Sequence, residues 1–190
     1  MYFVVNSEQL IVLEIEAKIK VESLEPIAER LGHLGARFIA RQAQHDAYFF
    51  DAAGDLTQRG CGLRLRTETA DEKTISILTF KGPKQAGPYK SRPEYETPVA
   101  DGQAMTHILQ GLGYQTTLTV TKTRRLWTLD GCEICLDDVP PLGSFVEVEG
   151  PDQAVIKAVL TRLDLADRPH IKKGYAAMMA KLTGISKTPT

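Results

Sequence analysis

No run of apolar residues in this 190-residue chain approaches the length that spans a bilayer, so no membrane-crossing helix is expected. The start, Met1-Tyr2-Phe3-Val4-Val5, has no basic leader and soon meets Glu8, which argues against a secretory signal. Neither charge is in excess: 23 Lys plus Arg stand against 24 Asp plus Glu, a formal net charge of −1. A general nucleic-acid binder would carry a basic excess, although a local cluster of positive charge is compatible with this balance. Cysteine is scarce. Cys61, Cys132 and Cys135 make a poor disulfide framework, and reduced thiols fit a cytoplasmic chain. Cys132 and Cys135 have the spacing of half a zinc or redox site. No second Cys/His pair accompanies them, and in a strand residues three apart point to opposite faces. His33, His107 and His170 show no metal-ligand spacing to one another.

What the chain does have is alternation. In Glu14-Ile15-Glu16-Ala17-Lys18 the charges recur with a period of two. On a strand Glu14, Glu16, Lys18 and Lys20 share one face, and Leu13, Ile15, Ala17 and Ile19 the other. A half-buried strand commonly shows such a pattern and sends its charges to water. Here the pattern returns in Leu63-Arg64-Leu65-Arg66, in Pro93-Glu94-Tyr95-Glu96 and in Phe145-Val146-Glu147-Val148-Glu149. Each of these strands carries a doublet of one sign, which suggests faces meeting around a shared, highly charged ligand.

The length suits one domain, residues 1–190, with a substantial core. Helices are predicted from the N-cap Ser23 to Gly35, over Gly102–Leu112, over Asp152–Leu163 and over Gly174–Leu182. Strands are predicted at His45–Phe50, Gly62–Thr67, Thr74–Lys81, Glu94–Val99, Thr117–Lys122, Arg124–Leu129, Glu133–Asp137 and Ser144–Glu149. Asp51–Asp55 reads as a polar turn, Gly82–Ser91 as a Gly/Pro-rich loop, and residues 184–190 as a frayed tail. This order argues α+β with antiparallel pairing. A sheet with one charged and one apolar face either turns the charges to bulk water or closes into a barrel with helices on its apolar outside. The second arrangement gives a polar tunnel, and about eight strands enclose room for one small ligand. Trp127 is expected on the outside of such a barrel, and Met178, Met179 and Leu182 on the packing face of the last helix.

On that pattern of faces the basic group includes Lys18, Arg64, Arg66, Lys81, Lys122 and Arg124, and the acidic group Glu14, Glu16, Glu94, Glu96, Asp137, Glu147 and Glu149. Guanidinium groups bind phosphate oxygens bidentately. Carboxylates beside phosphate make sense if Mg²⁺ or Mn²⁺ bridges the two, because these hard ions prefer oxygen ligands. A tunnel of both signs therefore fits a metal-bound polyphosphate better than a bare ion. The competing reading is a set of cross-strand ion pairs on exposed sheets, each worth about 0–1 kcal/mol.

The segment Glu14-Ile15-Glu16-Ala17-Lys18 resembles the ExExK signature of the CYTH superfamily, named for class IV adenylyl cyclases and thiamine triphosphatases. The likeness continues in order through His45-Asp46-Ala47-Tyr48-Phe49-Phe50, Leu63-Arg64-Leu65-Arg66, Leu78-Thr79-Phe80-Lys81-Gly82-Pro83 and Arg92-Pro93-Glu94-Tyr95-Glu96. It ends with Lys122-Thr123-Arg124, Cys135-Leu136-Asp137-Asp138-Val139 and Leu142-Gly143-Ser144-Phe145-Val146-Glu147-Val148-Glu149, so that the motifs span residues 13–175. The resemblance implies a closed eight-stranded antiparallel barrel, a triphosphate tunnel. In it Lys18, Arg64, Arg66, Lys81, Lys122 and Arg124 hold phosphate, while Glu14, Glu16, Asp137, Glu147 and Glu149 bind metal. Glu94 and Glu96 match further acidic positions. Where many members carry a Ser-Tyr pair before the last helix this chain has Lys173-Gly174-Tyr175, which makes Lys173 a candidate phosphate contact.

The implied activity resembles that of a class IV adenylate cyclase, ATP giving cyclic AMP and pyrophosphate. The alternatives are an inorganic tripolyphosphatase or thiamine triphosphatase, and, from another class, a non-catalytic sensor of nucleotide or polyphosphate. The motifs name no general base and no pocket for an organic group. The resemblance further implies a homodimer. If the tunnel carries the activity, Arg66→Ala and Glu16→Ala are each expected to abolish turnover at a nearly unchanged melting temperature.

Overall fold

The computed structural model describes residues 12–185, and the apolar N-terminal start and the end of the predicted tail, residues 186–190, lie outside them. Eight strands form one closed antiparallel barrel. In chain order they are β1 (Val12–Val21), β2 (Arg37–Asp51), β3 (Gly62–Ala70), β4 (Lys73–Lys81), β5 (Lys90–Val99), β6 (Tyr114–Leu129), β7 (Cys132–Val139) and β8 (Gly143–Glu149). Around the barrel they run β1-β5-β4-β3-β2-β6-β7-β8. The helices are α1 (Glu25–His33), α2 (Asp55–Gln58), α3 (Gly102–Gly111), α4 (Gln153–Arg162) and α5 (Tyr175–Thr183).

The antiparallel barrel expected from alternation is present, and the differences from the sequence reading have local causes. The two strands predicted on either side of Thr123 are one strand, β6, which pairs with β2 over almost its whole length. The turn after it, at Asp130-Gly131, takes both residues to positive φ (51° and 78°), the geometry that favours a tight hairpin. The predicted polar turn Asp51–Asp55 leads directly into α2. There Asp51 accepts from the backbone of Asp55 (2.7 Å) and Leu56 (2.9 Å), and Leu56 is buried. Ser23 sits one residue before the α1 cap, which is Leu24, and accepts from Glu25 N at 3.3 Å. Asp101 and Asp152 cap α3 and α4, each accepting from two backbone amides. In the predicted tail, Gly184 is the left-handed C-cap of α5 and Ile185 N donates to Ala180 O at 3.0 Å.

The core lies outside the barrel. Ala17, Ile19, Ile134, Leu136, Val146 and Val148, on the outward positions of β1, β7 and β8, pack with Leu31 of α1 and Ile156, Val159 and Leu160 of α4. Trp127 joins this cluster as expected. A second cluster seats α2 and α3 on β2 and β3 through Phe49, Leu56, Leu63, Leu65 and Leu109. The last helix does something else. Tyr175, Ala176, Met179 and Ala180 of α5 pack on Tyr48, Val120 and Phe145, which share the inward faces of their strands, so α5 closes part of one barrel mouth. Leu182, expected in that packing face, is exposed. Among the described residues no helix is long and apolar enough to cross a membrane.

Leu160 is 1% exposed, and Leu160→Ala is expected to lower unfolding free energy by about 2–5 kcal/mol. Leu112→Ala, at a position 69% exposed, should change it by less than about 0.5 kcal/mol. Urea denaturation of the two variants measures both.

Candidate functional site: a charged tunnel

The inward positions follow from strand parity. They carry Glu14, Glu16 and Lys18 on β1, Arg64 and Arg66 on β3, Lys81 on β4, Glu94 and Glu96 on β5, Lys122 and Arg124 on β6, Asp137 on β7, and Glu147 and Glu149 on β8. Most of them line a cavity of about 310 Å³. Asp137 and Glu94 stand behind its wall, both buried. Lys173 is exposed and lies outside the lining. What this position contributes is its carbonyl, which accepts from Lys18 Nζ at 3.4 Å. Lys20, paired with Phe145 toward the α5 end of the barrel, is also exposed.

The charges are held by one another. Lys18, 2% exposed, lies 3.0 Å from Glu147 and 3.2 Å from Glu16, with the Tyr175 ring 4.2 Å away. Burial would lower its pKa, but the Glu16 and Glu147 charges outweigh that and raise it. Asp137 accepts from Arg124 (2.7 and 2.6 Å), from Lys122 (2.8 Å) and from the Tyr175 hydroxyl (3.0 Å). Expected as a metal ligand, it is instead surrounded by donors. Arg124 also reaches Glu147. Arg64 donates to Thr79 (2.9 Å) and Glu96 (3.0 Å).

Several site residues escaped the sequence reading. Asp46 is 2% exposed, grips Arg66 through two hydrogen bonds (2.7 and 2.9 Å) and lies 3.7 Å from Arg64. Beside it Gln42, Gln44 and Glu68 form a side-chain network. The predicted strand began at His45 and so left out Gln42 and Gln44. Extending the period-two pattern backward from Asp46 would have found them, whereas His45 itself is exposed on the outer face. Lys90 lines the tunnel 2.9 Å from Glu16, at the start of β5 rather than in the predicted Gly/Pro-rich loop. Arg92, 2% exposed, donates to the Gly82 carbonyl at 2.8 Å. The alternation Lys90, Arg92, Glu94, Glu96 was the signal for both. The loop before them is pinned by Lys172, which donates to Gly87 O at 2.6 Å, and by Tyr89 stacked on His170. The cysteines are free and buried, Cys132 in the outer core and Cys135 across from Glu147.

The acids cluster toward one rim. Glu14 at the start of β1, Glu68 and Glu96 at the ends of β3 and β5, Glu133 at the start of β7 and Glu149 at the end of β8 all lie there, as antiparallel connectivity requires. Burial, then the adjacent Glu14 charge, push Glu149 up to about 9. Burial and a hydrogen bond with Glu14 push Glu94 up to about 7, against the pull of Lys81. Glu14 itself is held below the usual carboxylate range. Burial opposes that shift, but the Glu94 hydrogen bond and the Lys81 and Lys90 charges prevail. Glu14 Oε2, Glu16 Oε1 and Glu94 Oε1 are buried and accept no hydrogen bond among the described residues, with Lys81 Nζ 3.9 Å from the first and Lys18 Nζ 3.2 Å from the second. Crowded carboxylates with orphaned oxygens are the donor set a hard divalent cation takes, so the residues fit Mg²⁺ or Mn²⁺. No three of the described His, Cys, Asp and Glu residues are already arranged around a single metal position.

With this geometry in place, comparison with known proteins gives the class. The CYTH domain model matches residues 13–164, and the chain belongs to that family. It is 33% identical over 137 residues, 72% of this chain and 76% of the other, to a Methanocaldococcus jannaschii protein named "putative adenylate cyclase". In fold it resembles a Pyrococcus horikoshii protein with a TM-score of 0.79, 24% identity, and 89% of this chain and 99% of that one covered. It also resembles a Hippeastrum protein described as a "putative adenylyl cyclase" with a dominant triphosphatase activity. There the TM-score is 0.68 at 20% identity, with 90% and 96% of the two chains covered.

Arg66→Ala would strand the buried Asp46 carboxylate, so it lowers the melting temperature rather than leaving it nearly unchanged. Asp46→Asn should cost about 3–5 kcal/mol at pH 7, since it leaves Arg66 without its ionic partner. Burial would raise the Asp46 pKa, but Arg64 and Arg66 hold it well below its ordinary 3.8. The pair's contribution is therefore complete above that value and fades as pH falls toward the lowered one. Denaturation of wild type and Asp46→Asn should show their difference narrowing below about pH 4.

Proposed function

We propose that this chain is a divalent-metal-dependent enzyme acting on a triphosphate held in the tunnel, and that its reaction is adenylate-cyclase-like, converting ATP to cyclic AMP and pyrophosphate. The observation that carries the first part is the mixed wall: the acids are at least as numerous as the bases, and buried carboxylate oxygens of Glu14, Glu16 and Glu94 accept no hydrogen bond among the described residues. Its carboxylates would repel a bare polyanion, so the mixed wall suits one that arrives with metal. The likeness to the Methanocaldococcus protein supports the second part.

In this reading Arg64, Arg66, Lys81, Lys122, Arg124 and Lys18 bind and orient the phosphate chain, with Lys90 added from the structure. Asp46 and Asp137 act behind them, fixing the guanidinium and ammonium groups where negative charge develops on the phosphate oxygens. Glu14, Glu16, Glu147 and Glu149 would hold Mg²⁺ or Mn²⁺, which when bound neutralises phosphate charge and polarises the attacked phosphorus. Attack of the ribose 3′-hydroxyl on the α-phosphorus releases pyrophosphate. Attack of water on the terminal phosphorus of tripolyphosphate or thiamine triphosphate releases orthophosphate instead. That second reading, a triphosphatase, is favoured by how few apolar side chains, Ile77 and Leu126 chief among them, line the cavity. The reading includes a single domain in a cytoplasmic setting, a small-molecule partner rather than nucleic acid or membrane, and the homodimer implied by family resemblance.

The test is product analysis after incubation with Mg²⁺ or Mn²⁺ and, separately, ATP, tripolyphosphate and thiamine triphosphate. Cyclic AMP with an equal amount of pyrophosphate is expected from ATP. Orthophosphate without cyclic AMP would make the chain a triphosphatase, and binding without product from any substrate would make it a sensor. Chelation should abolish turnover, and Glu16→Gln should lower it by about 100-fold or more.

A further inference from the structure

β2 and β3 carry a polar group that phosphate binding does not require. In the closed strand order β2 lies four strands from β1 in either direction. Gln42, Gln44 and Glu68 therefore face Glu14 across the cavity that all of them line. Gln44 is 4% exposed. Its amide nitrogen donates to Gln42 Oε1 at 3.0 Å and to Glu68 Oε2 at 2.7 Å, and Gln42 Nε2 donates to Glu68 Oε1 at 2.9 Å. These bonds fix the orientation of the amide, because a flipped Gln44 would set its oxygen against a carboxylate and a carbonyl.

Gln44 Oε1 is thus left as an acceptor, and it is buried with no hydrogen-bond partner among the described residues. An acceptor in that position is expensive to leave unmade. Phosphate oxygens without a proton cannot satisfy it, since they offer only lone pairs, so the complementary group is a donor on the ligand. Two apolar side chains stand nearby in the lining: Ile77, opposite Arg66 on β4, and Leu126, two residues along β6 from the Arg124 that faces Gln42. Acceptors between apolar walls suit the edge of a flat ring bearing an exocyclic amine. The cations are adjacent, with Lys122 directly across from Gln44 and Arg66 two residues from Glu68.

We propose that Gln44 Oε1, held in place by Gln42 and Glu68, reads the amino group of the heterocycle of an organic triphosphate whose phosphates lie on the neighbouring cations. This rests on the triphosphate reading above and deepens it, making an amino-heterocyclic triphosphate such as ATP the preferred ligand over the same ligand lacking its amine.

Calorimetric binding with Ca²⁺ as the divalent ion, using ATP, purine riboside 5′-triphosphate and inorganic tripolyphosphate, tests it. The second ligand has a hydrogen where ATP has its amine. Wild type should bind ATP about tenfold or more tightly than that analogue. Gln44→Met, of similar volume but without the amide, should bring the two within about twofold of each other. It should leave tripolyphosphate affinity within about twofold of wild type. Equal affinity of wild type for ATP and the analogue, with tripolyphosphate bound, overturns the subsite alone, and that comparison needs no variant to fold. Gln44→Met weakening all three ligands equally overturns it too, marking Gln44 as a prop of the phosphate site. Failure of wild type to bind tripolyphosphate overturns the tunnel reading and the subsite with it.

Discussion

Charge taken out of water inside a closed barrel must be compensated there, and the rest of this structure is arranged around that requirement. A buried ion whose partner is removed costs several kcal/mol, and this wall buries many. The solution is dense mutual pairing. Asp137 serves Lys122, Arg124 and Tyr175, Asp46 serves Arg66 and Arg64, and Glu147 serves Lys18 and Arg124. Because the charges face inward, the apolar positions face outward, and that is why the core is a shell between barrel and helices rather than the barrel's interior.

Compensation is dense around most of the bases, although Arg64 Nε is buried without a partner among the described residues, and it is least complete around the acids of one rim. Burial, then the neighbouring Glu14, pushes Glu94 up to about 7 and Glu149 up to about 9, while Glu14, Glu16 and Glu94 each keep a buried oxygen that accepts no hydrogen bond among the described residues. Such imbalance is stabilising only if it serves a cationic ligand. The bases, by contrast, are held stiffly, so little reorganisation is needed when phosphate oxygens come to rest among them. The same closure by α5 that buries Lys18 and Lys122 under the Tyr175 ring leaves the acidic rim as the other mouth.

Much of this was legible in the sequence because a period of two survives folding unchanged. Glu14, Glu16 and Lys18, or Arg64 and Arg66, must share a face wherever their strand goes. What could not be read was the register between neighbouring strands, which decides who partners whom. Asp137 carries the same residue type whether it holds a metal or two cations, and only the β6–β7 register, with Arg124 opposite it, tells them apart. Asp46 sat inside a recognised motif without a role because its partner lies on β3. Lys90 and Arg92 were obscured by the Gly/Pro-rich loop and by Pro93, which points outward and leaves the strand intact. Lys173 was placed by analogy with a motif the chain lacks, and the chain turns its side chain to solvent.

The central claim is that these two sets of charges receive a metal-bound triphosphate between them. Anomalous diffraction from crystals grown with Mn²⁺ and tripolyphosphate tests it most directly. The account predicts manganese on the carboxylates of Glu14, Glu16, Glu147 or Glu149, with phosphate oxygens on Arg64, Arg66, Lys122 and Arg124. Phosphate bound outside the barrel, with no manganese among those carboxylates, would contradict it.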